Sequence, residues 1–104
     1  MNNRRVRIFF ANLDEITQDD QANLYEAIDI VSNGLNEKYG ITIKPMVVSD
    51  HYIEVLVTIP YSFDGYFDSG RYLRGISMEL LRRHNQWYRR KMHQSRLLYF
   101  KDIV

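Results

Sequence analysis

The 104-residue chain contains no cysteine. Disulfides, thiolate metal sites and a cysteine nucleophile are therefore excluded, and the composition fits a reducing compartment. No apolar run approaches the roughly 18 residues of a membrane span. The N-terminal stretch MNNRRVRIFF leads into neither the longer apolar region nor the small-residue cleavage site of a signal peptide. We therefore expect an unprocessed, cytoplasmic chain with no membrane association. Histidine is scarce, and His51, His84 and His93 have no metal-ligand spacing. Gly65, Gly70 and Gly75 recur every five residues with aromatics and arginines between them, which is not a phosphate-binding loop. Asp64 and Asp68 read as a loop acid and a helix N-cap rather than a cation site. No internal repeat, low-complexity segment or linker interrupts the chain. The expectation is a chain that is not an enzyme and takes no cofactor and no metal.

What is present is ordinary in amount and uneven in distribution. Apolar residues make up 45% and charged residues 26%, the values of one globular domain, residues 1–104. Net charge is +1. Residues 1–60 hold five Lys/Arg against nine Asp/Glu, net −4, and residues 61–104 hold nine against four, net +5. A basic C-terminal half of this kind attracts a nucleic acid or an acidic protein partner.

The longest periodic stretch is Asp68 to His93. At helical spacing, Leu73, Ile76, Leu80, Leu81, His84, Trp87 and Tyr88 share one arc. Arg82, Arg83, Arg89 and Arg90 share the opposite one. Ahead of it, Arg5 to Leu13 alternates as a first strand. Thr17 offers an N-cap with Asp19 and Asp20 behind it, and a helix runs from there to about Tyr39, stopped by Gly40. Ile41 to Val48 reads as a second strand, which Pro45 assigns to a sheet edge or a bulge. His51 to Ile59 alternates as a third strand, joined to the second by a short turn at Ser49-Asp50. After the aromatic loop Tyr61 to Ser69 and the long helix, Arg96 to Val104 is rich in strand formers. The order strand, helix, strand, strand, helix, strand predicts an α+β, ferredoxin-like βαββαβ two-layer sandwich. Its four-stranded antiparallel sheet would carry two helices on one face.

With helices over one face, the other face of the sheet is open. It would present Arg7, Phe9, Lys44, Tyr52 and Tyr99, with Arg5, Glu54, Leu56 and Lys101 beside them. Aromatic rings stack on unpaired bases while cations follow phosphates, so this set suits single-stranded nucleic acid. Ile8-Phe9-Phe10-Ala11-Asn12-Leu13 resembles the first-strand signature of RNA recognition motif domains. By that resemblance, which covers about the first forty residues, Phe9 is the base-stacking residue. The family's third-strand signature is absent, since His51 to Ile59 has no glycine and only Tyr52 as an aromatic.

Two functional expectations follow. The first is nucleic-acid binding through the basic helix (Arg82, Arg83, Arg89, Arg90) and the open sheet face. The alternative is an interaction module that binds and inhibits a larger protein. It would use the aromatic 61–74 loop, with Tyr61, Phe63, Tyr66, Phe67, Arg71 and Arg74, together with the basic helix. A homodimer packed through the sheet is a further form of that alternative.

Overall fold

A computed structural model describes residues 2–10, 15–63, 69–91 and 98–103. The sheet that frames the core is three-stranded and antiparallel, in the order β1-β3-β2: β1 (Asn2–Phe10), β3 (Ile53–Ile59) and β2 (Thr42–Val48). Successive strand side chains point to opposite faces. Val6, Ile8 and Phe10 are accordingly buried with Ile53, Val55, Val57 and Ile59, while Asn3, Arg5, Arg7 and Phe9 stand on the other side. A short strand β4 (Leu98–Ile103) is added antiparallel along the outer edge of β1, with Phe10 opposite Leu98, giving the full order β2-β3-β1-β4.

Pro45 has both of the properties its missing N–H demands. β2 lies at the edge of the sheet, and its register against β3 shifts between Pro45 and Val47. Beyond the shift the strand leaves Met46, Val47 and Val48 exposed. The edge is tied to the helical layer by Ser32 Oγ, which accepts the Ile43 N–H at 2.8 Å in a buried bond.

Helix α1 (Gln18–Tyr39) begins with a complete capping box: Thr17 Oγ1 accepts the Asp20 N–H at 3.2 Å, and Asp20 Oδ2 accepts the Thr17 N–H at 3.0 Å. Leu24, Ala27 and Ile28 are its buried stripe. It ends at Gly40, whose φ of 71° is left-handed and whose N–H donates to Asn36 O at 3.0 Å. An alanine Cβ there would also meet Pro60 Cγ at 3.4 Å. Gly40→Ala is therefore expected to cost about 1–2 kcal/mol, the usual left-handed penalty for a side chain. A thermal melt should show this as a fall of about 5–10 °C, and an unchanged midpoint would contradict the assignment of Gly40 as an obligatory left-handed stop.

The ferredoxin-like βαββαβ expectation, a four-stranded sheet with two helices, is corrected. Among the described residues the chain is α+β, with three α-helices and a β1-β3-β2 antiparallel core of three strands, to which β4 is paired along the outer edge of β1. The stretch expected to form one long helix is α2 (Ser69–Arg83) and α3 (Asn85–Lys91), separated at His84. No proline or glycine stands at the break. His84 and Asn85 are weak helix formers, and the hydrogen bonds on either side persist: the His84 N–H donates to Leu80 O and the Tyr88 N–H to His84 O, each at 2.8 Å. Ile76 and Leu80 of α2 and Tyr88 of α3 are buried, while Leu81, expected in the same stripe, is 39% exposed. Gly75 lets α2 approach α1 closely, since a Cβ there would lie 3.4 Å from both methyls of Val31.

Trp87 closes this end of the core. Its Nε1–H donates to Asp20 Oδ1 at 2.7 Å, and its ring lies 6.2 Å from that of Phe10. The same Asp20 thus caps α1 and anchors α3. Among the described residues no helix is long and apolar enough to cross a membrane.

Candidate nucleic-acid interface on the open sheet face

The helices cover one face of the sheet, and β-alternation delivers a chemically distinct set to the other. The β1–β3 register places Arg5 opposite Leu56 and Arg7 opposite Glu54. The β2–β3 register places Lys44 on the other side of Leu56, and the β1–β4 register places Lys101 beside Arg7. Directly opposed residues in an antiparallel pair share a face. One row across the sheet therefore reads Lys44, Leu56, Arg5, and the next reads Glu54, Arg7, Lys101.

Arg7 is held from two sides. Its Nε donates to Glu54 Oε1 at 3.3 Å, and its Cζ lies 4.4 Å from the centre of the Tyr52 ring. Tyr52 in turn meets Phe9, with centroids 5.6 Å apart and planes tilted by 53°. Phe9 and Tyr52 are both half-buried. Tyr52 owes its place to the hairpin turn, where the Ser49 N–H donates to Tyr52 O at 2.9 Å and Ser49 Oγ accepts the His51 N–H at 3.1 Å. Arg5, Lys44 and Lys101 are exposed and form no ion pair among the described residues. At the far end, Thr58 donates to Asn3 Oδ1 at 3.0 Å. The result is a small aromatic platform beside three cations that have no ion pair among the described residues.

No protein-family model matches this chain, and no curated protein matches its sequence.

The basic helix is electrostatically different from what its sequence suggests. Arg82 Nη2 donates to both oxygens of Glu79 at 3.1 Å. Arg83 Nε reaches Glu79 Oε2 at 3.3 Å, and its Nη1 reaches Glu26 Oε1 on α1 at 3.5 Å. His84 Nε2 lies 3.3 Å from Glu26 Oε2. Two arginines thus face two carboxylates, which removes most of the net positive field from that part of the stripe. His84, expected in the apolar arc, is instead half-exposed at the helix break. Arg89 is exposed and without an ion pair among the described residues, and the Arg90 side chain lies outside what the structure describes.

The aromatic loop is described only in part. Tyr61 is 70% exposed, and a single 3₁₀ turn spans Tyr61–Phe63. Tyr66 and Phe67 lie outside the described residues, as do the side chains of Phe63, Arg71 and Tyr99. Tyr99 is placed by register opposite Phe9. Arg74, on α2, is exposed and far in sequence from the sheet cluster. On the core side, burial pushes the Tyr88 phenol above its ordinary value of 10.0.

The partnership of Arg7 with Glu54 and the compensation of Arg82 and Arg83 are the two features that sequence reasoning missed. Alternation puts Glu54 on the open face, but only the strand register brings it to Arg7. For Arg82 the signal was present in Glu79 three residues earlier.

Proposed function

We propose that this chain is a small, non-enzymatic, cytoplasmic domain that binds single-stranded nucleic acid on the open face of its sheet. The observation that carries the reading is the cluster of Phe9, Tyr52 and Arg7 beside the exposed Arg5, Lys44 and Lys101, which have no ion pair among the described residues. Rings and planar cations suit unstacked bases, and the flanking cations suit phosphates. A duplex conceals its base faces, so single strands fit this surface better. The helix stripe is the weaker candidate, because Glu79 and Glu26 already occupy Arg82 and Arg83.

The test is a titration of the purified protein against labelled single-stranded RNA, single-stranded DNA and duplex DNA at two salt concentrations. Three phosphate contacts on a single strand give a slope near −2 in log affinity against log salt, so binding should weaken about 20-fold between roughly 50 and 200 mM. Combining Arg5→Ala, Lys44→Ala and Lys101→Ala should flatten that dependence, whereas Arg82→Ala with Arg83→Ala should leave it nearly intact. The reverse pattern would move the site to the helix. Absence of binding to any of the three at low salt would end the nucleic-acid reading.

A second reading, an interaction module, is favoured by Met46, Val47, Val48 and Tyr61, which are 56%, 44%, 39% and 70% exposed. An edge strand with exposed apolar residues can accept a partner strand. Homodimerisation through the open face is disfavoured, because it would bring together two faces that each carry Arg5, Lys44 and Lys101.

A further inference from the structure

We infer that Arg7 acts in the proposed site as a planar stacking surface for a base and not as a phosphate ligand. This rests on the single-strand reading above and goes beyond it by separating Arg7 from the other cations of the face. The separation comes from geometry. The guanidinium carbon lies over the Tyr52 ring, 4.4 Å from its centre, so the ring covers one side of the group. Its Nε is committed to Glu54, whose side chain is only 12% exposed while that of Arg7 is 39% exposed. The ion pair is therefore made from the side, by a cross-strand neighbour largely withdrawn from solvent, while part of the arginine stays accessible.

Charge points the same way. A phosphate drawn to Arg7 would also approach the Glu54 carboxylate 3.3 Å from the Arg7 Nε, which offsets much of the attraction of Arg7 itself and leaves Lys101 as the stronger phosphate ligand of that row. A base has no net charge and is indifferent to that carboxylate. Arginine guanidinium planes accept bases by stacking, and lysine cannot substitute for the plane. Glu54 and Tyr52 are the positioning residues: one holds the Arg7 Nε and the other covers one side of the guanidinium. Phosphate contacts then belong to Arg5 and Lys44, one row along the sheet, and to Lys101 beside Arg7.

The experiment compares wild type, Arg7→Lys and Arg7→Ala on two labelled ten-residue DNA strands, one of thymidines and one of abasic sites with the same phosphates. On the thymidine strand Arg7→Lys should bind about tenfold more weakly than wild type, within the range of one lost stacking contact. Its salt slope should not change. On the abasic strand wild type and Arg7→Lys should bind alike. Glu54→Gln is the second variant. It adds one unit of positive charge to the face, so it should bind the abasic strand more tightly while losing the preference for bases. If Arg7→Lys matches wild type on thymidines and Arg7→Ala lowers the slope by about 0.7, Arg7 is a phosphate ligand. That overturns the inference and leaves the single-strand reading standing. If wild type binds neither strand at low salt, the single-strand reading has itself failed, and the role of Arg7 with it.

Discussion

Asp20→Ala is expected to destabilise the protein by about 3 kcal/mol. The carboxylate is 2% exposed, and each of its oxygens has work that alanine cannot do. Oδ2 accepts the Thr17 N–H at the start of α1, and Oδ1 accepts the Trp87 Nε1–H from α3. Losing the capping arrangement costs about 1 kcal/mol. Leaving a buried donor unsatisfied costs about 1–3 kcal/mol more. Urea or thermal unfolding should show the difference, as a fall of about 15 °C in midpoint. A double-mutant cycle with Trp87→Phe isolates the bond between the two helices, and a coupling of about 1 kcal/mol or more is expected for residues in direct contact. Additive effects, or a loss below about 1 kcal/mol for Asp20→Ala, would show that the α1–α3 anchor lies elsewhere. Thr17→Ala provides the comparison, since it removes the cap while keeping the Trp87 bond.

That anchor also marks the boundary of what the amino-acid sequence makes legible. Local chemistry is readable where it acts within a few residues. Thr17 and Asp20 announce the cap, Gly40 announces the stop, and Pro45 announces an edge strand with a shifted register. Alternation in β1 and β3 separates Val6, Ile8, Val55 and Val57 from Arg5, Arg7, Glu54 and Leu56. The break at His84 is not readable in this way. Helical periodicity continues through it, both flanking hydrogen bonds are kept, and no proline or glycine marks it. The contact made just beyond it is tertiary: Trp87 donates to Asp20, 67 positions away in the chain.

Charge is the second place where sequence and structure part. A count of arginines measures a stripe, but the field outside the protein depends on which of them already face a carboxylate. Arg83 meets both Glu79 from its own helix and Glu26 from α1, and the second of these depends on how the two helices cross. The same argument works in the opposite direction on the sheet. Residues 1–60 are acidic in sum, yet their Arg5 and Lys44 stand exposed on the open face, where Glu54 is turned to Arg7 and largely withdrawn from solvent. Net charge by segment therefore points at the helix, while charge by surface points at the sheet.

The sharpest consequence of that two-sided sheet concerns adjacent residues. Phe10→Ala is expected to cost about 3–5 kcal/mol, the usual range for deleting a fully buried aromatic. Phe10 is 1% exposed, faces the Trp87 ring at 6.2 Å and stands opposite Leu98 of β4. Its loss would therefore loosen α3 and the edge strand together, against a total stability of about 5–15 kcal/mol for a domain of this kind. Trp87 is the only tryptophan in the chain, so its fluorescence reports the change directly as well as through the unfolding midpoint. Phe9→Ala, one residue earlier and on the other face, should have a much smaller effect on stability, because Phe9 is only half-buried. It should instead weaken binding to single strands by about 1–3 kcal/mol if its ring stacks on a base. Measured at a temperature where both variants are folded, Phe10→Ala should keep wild-type affinity. If the two substitutions alter stability and affinity in the same proportion, the division of the sheet into a packing face and a binding face is wrong.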